Sequence, residues 1–107
     1  DLPAYFCNNE TFAKKIENLN KEKLRCWRLP LYSPYLFKIK SQVADLSNAS
    51  LDGMAGSITA ALFLQEFLKS PNIPWFHFDT FAWSQDSKGA ALQGLDIMSD
   101  FLRKNFN

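Results

Sequence analysis

His77 is the only histidine in the chain, so a histidine-rich metal site cannot be assembled from it. Asp79 follows two residues later and would share its face in an extended segment. A histidine–carboxylate pair with no nucleophile or metal performs no recognised reaction. Both residues are therefore read as structural, with His77 a hydrogen-bonded histidine inside a buried strand. Cys7 and Cys26 lie nineteen positions apart and form no C-x-x-C pair, which removes the common zinc patterns. Among Asp45, Asp52, Asp79, Asp86, Asp96 and Asp100, only Asp96 and Asp100 stand at helical i, i+4 spacing. Like charges so placed repel mildly, and the pair reads as a solvated helix face. Gly53-Met54-Ala55-Gly56-Ser57 has the form of a loop that could hold a phosphate at a helix start. It lacks the Lys-Ser/Thr ending of one such loop and the three-glycine spacing of the other. Its small residues read as allowing close packing of that helix start. Residue type and spacing thus supply no catalytic set and no metal ligands.

Composition narrows the class further. The 107 residues carry twelve Lys and Arg against eleven Asp and Glu, a net charge of +1. With 47% hydrophobic and 15% aromatic residues, disordered and low-complexity classes are excluded. A chain this long hides roughly 60–70% of its unfolded surface, enough for one core. No basic excess exists to pair with phosphates, and the aromatics are not interleaved with Lys and Arg; no nucleic-acid partner is expected. No apolar run approaches the roughly 20 residues of a membrane helix, so no membrane span is expected either. Asp1 opens the chain without a positively charged leader, and without an initiator Met the start reads as not the natural one. Two cysteines are few for a disulfide scaffold, and both read as free thiols in a reducing compartment. Asn9-Glu10-Thr11 and Asn48-Ala49-Ser50 fit the glycosylation acceptor pattern but lack a secretory context.

The elements that must position these residues follow from periodicity. Phe12, Ile16 and Leu19, preceded by Asn8 and Asn9 as caps, predict a helix from about Glu10 to Leu24. Pro30 forces an extended passage at Leu29. Ser33-Pro34 predicts an N-cap with proline in its permitted first position, opening a short helix to about Lys40. Val43 to Asn48 alternates enough for a weak strand, and residues 51–56 read as a turn. From Ser57 to Leu68 the chain is apolar almost all round, which predicts a helix buried on most of its surface. Trp75 to Trp83 is the strongest strand, apolar on both faces and expected in the middle of a sandwich with helices on each side. Ser84 to Gly89 reads as a polar loop. A last helix starts near Ala90 with Ala91, Leu95, Met98 and Leu102 on one stripe, widened by Ile97 and Phe101. Only one weak partner strand is visible, so the sheet is expected to be incomplete.

The order of local motifs carries a resemblance. Trp27-Arg28-Leu29-Pro30-Leu31, Pro34-Tyr35 and Val43-Ala44-Asp45-Leu46-Ser47-Asn48 follow one another as in the C-terminal part of the leucyl (cytosol) aminopeptidase family. The order continues with Ala55-Gly56-Ser57-Ile58-Thr59-Ala60-Ala61-Leu62-Phe63-Leu64 and Pro74-Trp75-Phe76-His77-Phe78-Asp79. Leu2-Pro3-Ala4-Tyr5-Phe6 resembles the family segment just after the central catalytic region, and Phe81-Ala82-Trp83 is similar to one bacterial branch. The resemblance spans residues 1–107. It implies an α/β fold, a partial α/β/α sandwich forming the C-terminal part of a zinc-exopeptidase-like catalytic domain, with few strands and about four helices.

By the same resemblance, the parent is a cytoplasmic, commonly hexameric exopeptidase that removes N-terminal residues from peptides with two divalent metals, zinc or manganese. Two metals can activate a bridging water and polarise a peptide carbonyl. The family signature Asn-Thr-Asp-Ala-Glu-Gly-Arg does not occur in this chain, and the family's metal-binding lysine belongs to the same upstream region. The resemblance therefore transfers no catalytic or metal-binding role to any residue here. It places Gly89, Ala90 and Ala91 on the wall of the substrate side-chain pocket, although Leu92-Gln93 departs from the common pattern. The expected function is to scaffold the site, pack against the remainder of the catalytic domain and form subunit contacts, without activity of the segment alone. The alternative is a non-catalytic interaction module derived from the same fold. A self-sufficient hydrolase built on His77 and Asp79 is the third and weakest reading. An isolated chain is expected to expose apolar surface and to self-associate unless that surface is covered.

Overall fold

The computed structural model describes residues 2–37, 56–80 and 94–106. β1 (Ala4–Cys7) leads into α1 (Glu10–Leu19), and β2 (Trp27–Arg28) follows, with a 3₁₀ turn at Ser33–Tyr35. Then come α2 (Gly56–Gln65), β3 (Phe76–Asp79) and α3 (Leu95–Phe106). The strands form one sheet in the order β2-β1-β3. β1 runs parallel to β2, with Tyr5 opposite Arg28. It runs antiparallel to β3, with Phe6 opposite His77 and Cys7 opposite Phe76. The mixed α/β architecture is the one expected, but its centre is different. β1, too short at four residues for alternation to reveal it, is the middle strand, and β3 stands at one end of the described sheet. Among the described residues β1 is the partner strand that the sequence reading did not find for β3, and β2 pairs with the other edge of β1. The weak strand at Val43–Asn48 and the turn at 51–55 lie outside the described residues, as do Phe81 to Trp83 and the loop 84–89.

Alternation along β1 sends its side chains to two buried faces. On one face, Tyr5 and Cys7 meet Ala13 and Ile16 of α1, Cys26, and Ile97 and Phe101 of α3. Phe101 is the hub of this core, its ring edge-on to Phe12 at 5.5 Å and to Phe76 at 5.1 Å between centroids. Such edge-to-face pairs place a ring's positive rim against a neighbour's negative face. On the other face lie Phe6, fully buried, and His77. α2 reaches that side of β3 through Asp79, which shares the face of His77.

α1 begins as its cap residues require, with Asn9 Oδ1 accepting from Phe12 N–H at 3.0 Å. Half of one glycosylation pattern is thus occupied as a helix cap. The helix ends at Leu19, short of Leu24, because Asn20 turns the chain back. Its Oδ1 accepts from Arg25 N–H at 2.9 Å and its Nδ2 donates to Cys26 O at 3.2 Å. An Asn side chain that takes over nearby backbone partners ends a helix in this way. Asn8 buckles β1 to the start of β3, accepting from Trp75 N–H at 2.7 Å and donating to Ile73 O at 2.9 Å.

Other elements also depart from expectation. Pro34 stands in the first turn of a 3₁₀ segment that runs into helical Leu36 and Phe37, but the cap position is Tyr32, not Ser33, and no side chain caps it; residues beyond 37 lie outside the description. α2 ends at Gln65 and buries Ala61 and Leu62 only. Phe63, Leu64 and Phe67 are exposed, Phe67 by 72%, so the helix expected to be covered all round is covered on one side. α3 starts at Leu95, after Gly94 at φ +75°. That backbone angle interrupts helical geometry and favours glycine. A Cβ at Gly94 would also stand 3.3 Å from Phe78 Cδ1. The buried stripe of α3 is Ile97 and Phe101, whereas Leu95 and Leu102 face out. The aromatic hub draws Phe101 inward and rotates the expected stripe. Residues 90–93 lie outside the described residues.

Replacing Phe101 with Ala should destabilise the chain by about 3–5 kcal/mol, the usual cost of emptying a buried ring site. Urea denaturation checks this, and a loss below about 1 kcal/mol, typical of surface positions, would place the core elsewhere.

Candidate functional site

The two carboxylate groupings singled out by sequence resolve differently. His77 is half-buried between two rings, parallel to Trp75 (interplanar 8°) and to Phe6 (22°), each 6.1 Å away between centroids. Among the described residues its imidazole makes no hydrogen bond, so stacking replaces the hydrogen bond expected to hold it. Asp79 turns to α2 instead of His77: its Oδ2 accepts from Ser57 Oγ at 2.5 Å. The structure does not join His77 and Asp79 into a dyad. A cavity of about 360 Å³ runs beside β3, lined by Phe76, His77, Phe78, Thr80, Gly94 and Met98 among others.

Asp96 and Asp100 are not a bare solvated face. Arg25 Nη1 reaches Asp96 Oδ2 at 3.2 Å and Asp100 Oδ2 at 2.9 Å. Its Nη2 donates to Leu19 O at 3.2 Å, and Arg103 also pairs with Asp100. One guanidinium thereby ties the end of α1 to α3 and relieves the repulsion that the i, i+4 spacing creates. Nothing in local spacing could have revealed this, since Arg25 and Asp100 lie 75 positions apart. Arg28 makes a second clamp, bidentate to Glu10 at 2.6 and 3.1 Å, which holds the start of α1 over β2. The hydrogen bond from Arg25 holds the Asp100 carboxyl below the usual aspartate range, assisted by the charge of Arg103. Arg28 does the same for Glu10.

Cys7 and Cys26 are free and buried. Cys7 Sγ points to Asn9 O at 3.2 Å, and Cys26 Sγ accepts from Asn20 Nδ2 at 3.4 Å. Burial pushes both thiols up, away from the reactive thiolate form. Tyr5 is a further buried polar group, and among the described residues its hydroxyl has no hydrogen-bond partner. Among the described residues, no group of three or more His, Cys, Asp or Glu side chains could hold a metal ion. Asp79, Asp96, Asp100 and Glu10 are engaged by Ser57, Arg25 and Arg28. These residues do not fit a two-metal centre. Gly89, Ala90 and Ala91, the expected pocket wall, lie outside the described residues, as do Asp45, Asp52 and Asp86.

At Gly56 a Cβ would meet nothing within 4 Å. Close packing at that glycine does not locate the start of α2. The Ser57–Asp79 hydrogen bond ties it to β3 instead, a role that the sequence pattern gives to neither Ser57 nor the two arginines. The serine's signal was its place at a helix start, opposite a carboxylate ending the next strand.

Comparison with known proteins places this geometry. Residues 1–98 match the model of the cytosol aminopeptidase family, catalytic domain, and the chain belongs to that family. A probable cytosol aminopeptidase of Cenarchaeum symbiosum is 41% identical over 107 residues, covering 90% of this chain and 22% of that protein. The cytosol aminopeptidase of Buchnera aphidicola is 37% identical over 99% of this chain and 21% of its own length. Among solved structures, the cytosol aminopeptidase of Coxiella burnetii superposes with a TM-score of 0.82 at 41% identity, over 99% of this chain and 24% of that one. A mutant of tomato leucine aminopeptidase gives 0.77 at 29% identity, over 97% and 21%. The chain therefore spans about a fifth of the length of these relatives. Among the described residues no helix is long and apolar enough to cross a membrane.

Because the folded pKa of Asp100 is depressed, its contribution is present above the unfolded value and lost as pH falls through the folded one. Stability should hold from neutrality to about pH 5 and then decline. Arg25→Gln should flatten that decline in part, moving Asp100 back toward the unfolded value while Arg103 still pairs with it. Urea titrations at stepped pH check this; a variant offset that stays constant across pH would contradict the clamp.

Proposed function

We propose that this chain is the C-terminal part of the catalytic domain of a two-metal aminopeptidase that removes N-terminal residues from peptides in the cytoplasm. Residues 1–107 scaffold the site, while the metal ligands belong to sequence upstream of it. What carries the reading is a contrast. The family match and the 0.82 superposition run along nearly the whole chain, yet the family signature is absent and the described residues offer no metal-binding group.

In this reading the segment's work is positional. β1 and β3 continue the domain's sheet, α1 and α3 close one face, and α2 covers part of the other. Gly89, Ala90 and Ala91 border the substrate side-chain pocket. Phe63 and Leu64, exposed on α2, and Phe67 just beyond its end, are covered in the assembled protein by the remainder of the domain or by neighbouring subunits of a hexamer. Exposed apolar groupings of this kind are characteristic of interfaces. The metals are zinc or manganese, and none is held by this segment.

The isolated chain should neither hydrolyse leucine anilide nor retain stoichiometric metal after incubation with manganese or zinc and desalting. Turnover accompanied by retained metal would overturn the reading. A stable, metal-free chain that captures one defined partner unrelated to an aminopeptidase would favour the interaction-module alternative.

A further inference from the structure

The described sheet has two outer edges, and they are not alike. At the β2 edge, Trp27 and Leu29 donate their N–H groups inward, to Pro3 O at 3.0 Å and Tyr5 O at 2.9 Å. The outward positions there are Arg28 and Pro30. Pro30 has no N–H, so a further strand would find a single donor and then a gap. At the β3 edge, Asn8 N–H donates to Trp75 O at 3.1 Å, which makes those two residues a hydrogen-bonded pair. Two residues along the ladder, Phe6 and His77 form the next such pair, and Ala4 and Asp79 the one after. Phe76 and Phe78 therefore turn both N–H and C=O away from β1. Among the described residues no strand meets them.

The cavity of about 360 Å³ follows this outward edge. It is lined by Phe76, His77, Phe78 and Thr80 together with Leu95 and Met98 of α3. No Lys, Arg, Asp, Glu or Pro stands in its wall, although such residues are what keep an exposed edge from pairing. We propose that the outer edge of β3 receives one further strand, and that its occupant is a strand from the remainder of the aminopeptidase catalytic domain. The inference rests on the aminopeptidase reading and names the place where that remainder joins. This chain covers only 24% of the Coxiella burnetii enzyme, so most of that enzyme lies outside the matched segment. A second copy of this chain suits the edge less well. Two residues with outward groups make a short ladder, whereas a stable pair of proteins buries on the order of 1,200 Å² or more. A strand within a larger domain is held by its own neighbours as well. Its residues beside Phe76 and Phe78 would extend the aromatic core around Phe101, so that face of the strand is apolar.

The test follows amide hydrogen exchange in this chain carrying isotope-labelled phenylalanine and arginine. The chain is measured alone and mixed with the Coxiella burnetii enzyme truncated to remove the matched segment. Alone, at every concentration, Phe6 should be protected while Phe76 and Phe78 exchange freely. In the complex, exchange at Phe76 and Phe78 should slow by about tenfold or more, with Arg28 unchanged. Protection of Phe76 and Phe78 in the dilute isolated chain would mean that the chain covers its own edge, and would overturn the proposal. Protection that grows with the concentration of the chain alone would give the edge to a second copy and overturn it equally. A complex in which Phe76 and Phe78 stay open, or Arg28 gains protection in their place, would overturn the proposal and leave the aminopeptidase reading standing. Should the truncated enzyme be insoluble, the same amides are read in a chimera that carries this chain in place of the matched segment. A folded truncated enzyme that forms no complex with this chain would contradict the aminopeptidase reading and the proposal with it.

Discussion

β1 is hydrogen-bonded along both edges and covered on both faces, and the other described elements are arranged around that condition. Its edges are taken by β2 and β3, its side chains Tyr5 and Phe6 are fully buried on opposite sides, and α1 and α3 close over the Tyr5 side. Full burial of a large apolar side chain contributes on the order of 1.5–3 kcal/mol, and two such side chains stand at the centre of the strand. The side-chain bonds at its ends have one consequence in common. Asn8 fixes where β3 begins, Arg28 fixes α1 over β2, and Arg25 fixes α3 to the end of α1. Removing β1 would leave each of these clamps with nothing to align.

This dependence explains which parts of the fold could be read from sequence. α1 announced itself through Asn9 and the spacing of Phe12 and Ile16, and both free thiols and the apolar strand before Asp79 were legible. β1 was not, because Ala4–Cys7 has no alternation when both of its faces are buried. The end of α1 was not, because Asn20 acts through partners at Arg25 and Cys26 that only the folded turn brings near. The stripe of α3 was misjudged for a related reason: Leu95, Met98 and Leu102 have the better periodicity, but the Phe12–Phe76–Phe101 aromatic cluster decides the rotation. The candidate site was less legible still. Asp96 and Asp100 were seen as a pair, but their cation comes from the far end of the sequence. Asp79 shares a face with His77 in the sequence pattern, but its bond goes to Ser57, which no local spacing reveals.

The family assignment and the lack of a metal-binding group among the described residues fit together physically. A sheet with three strands among the described residues and a helix such as α2, apolar where it faces outward, fit the proposed reading of this segment as part of a larger layer. The ion-paired and hydrogen-bonded carboxylates of the described residues are spent on holding elements together. In the proposed reading the chemistry belongs to whatever completes the layer, and the segment contributes shape.

Fragment complementation tests that division of labour most directly. The Coxiella burnetii enzyme, truncated to remove the segment that this chain matches, would be mixed with this chain and assayed on leucine anilide. The account predicts no turnover from either piece alone and metal-dependent turnover when they are combined. Full activity of the truncated enzyme without this chain, or activity of this chain by itself, would contradict it.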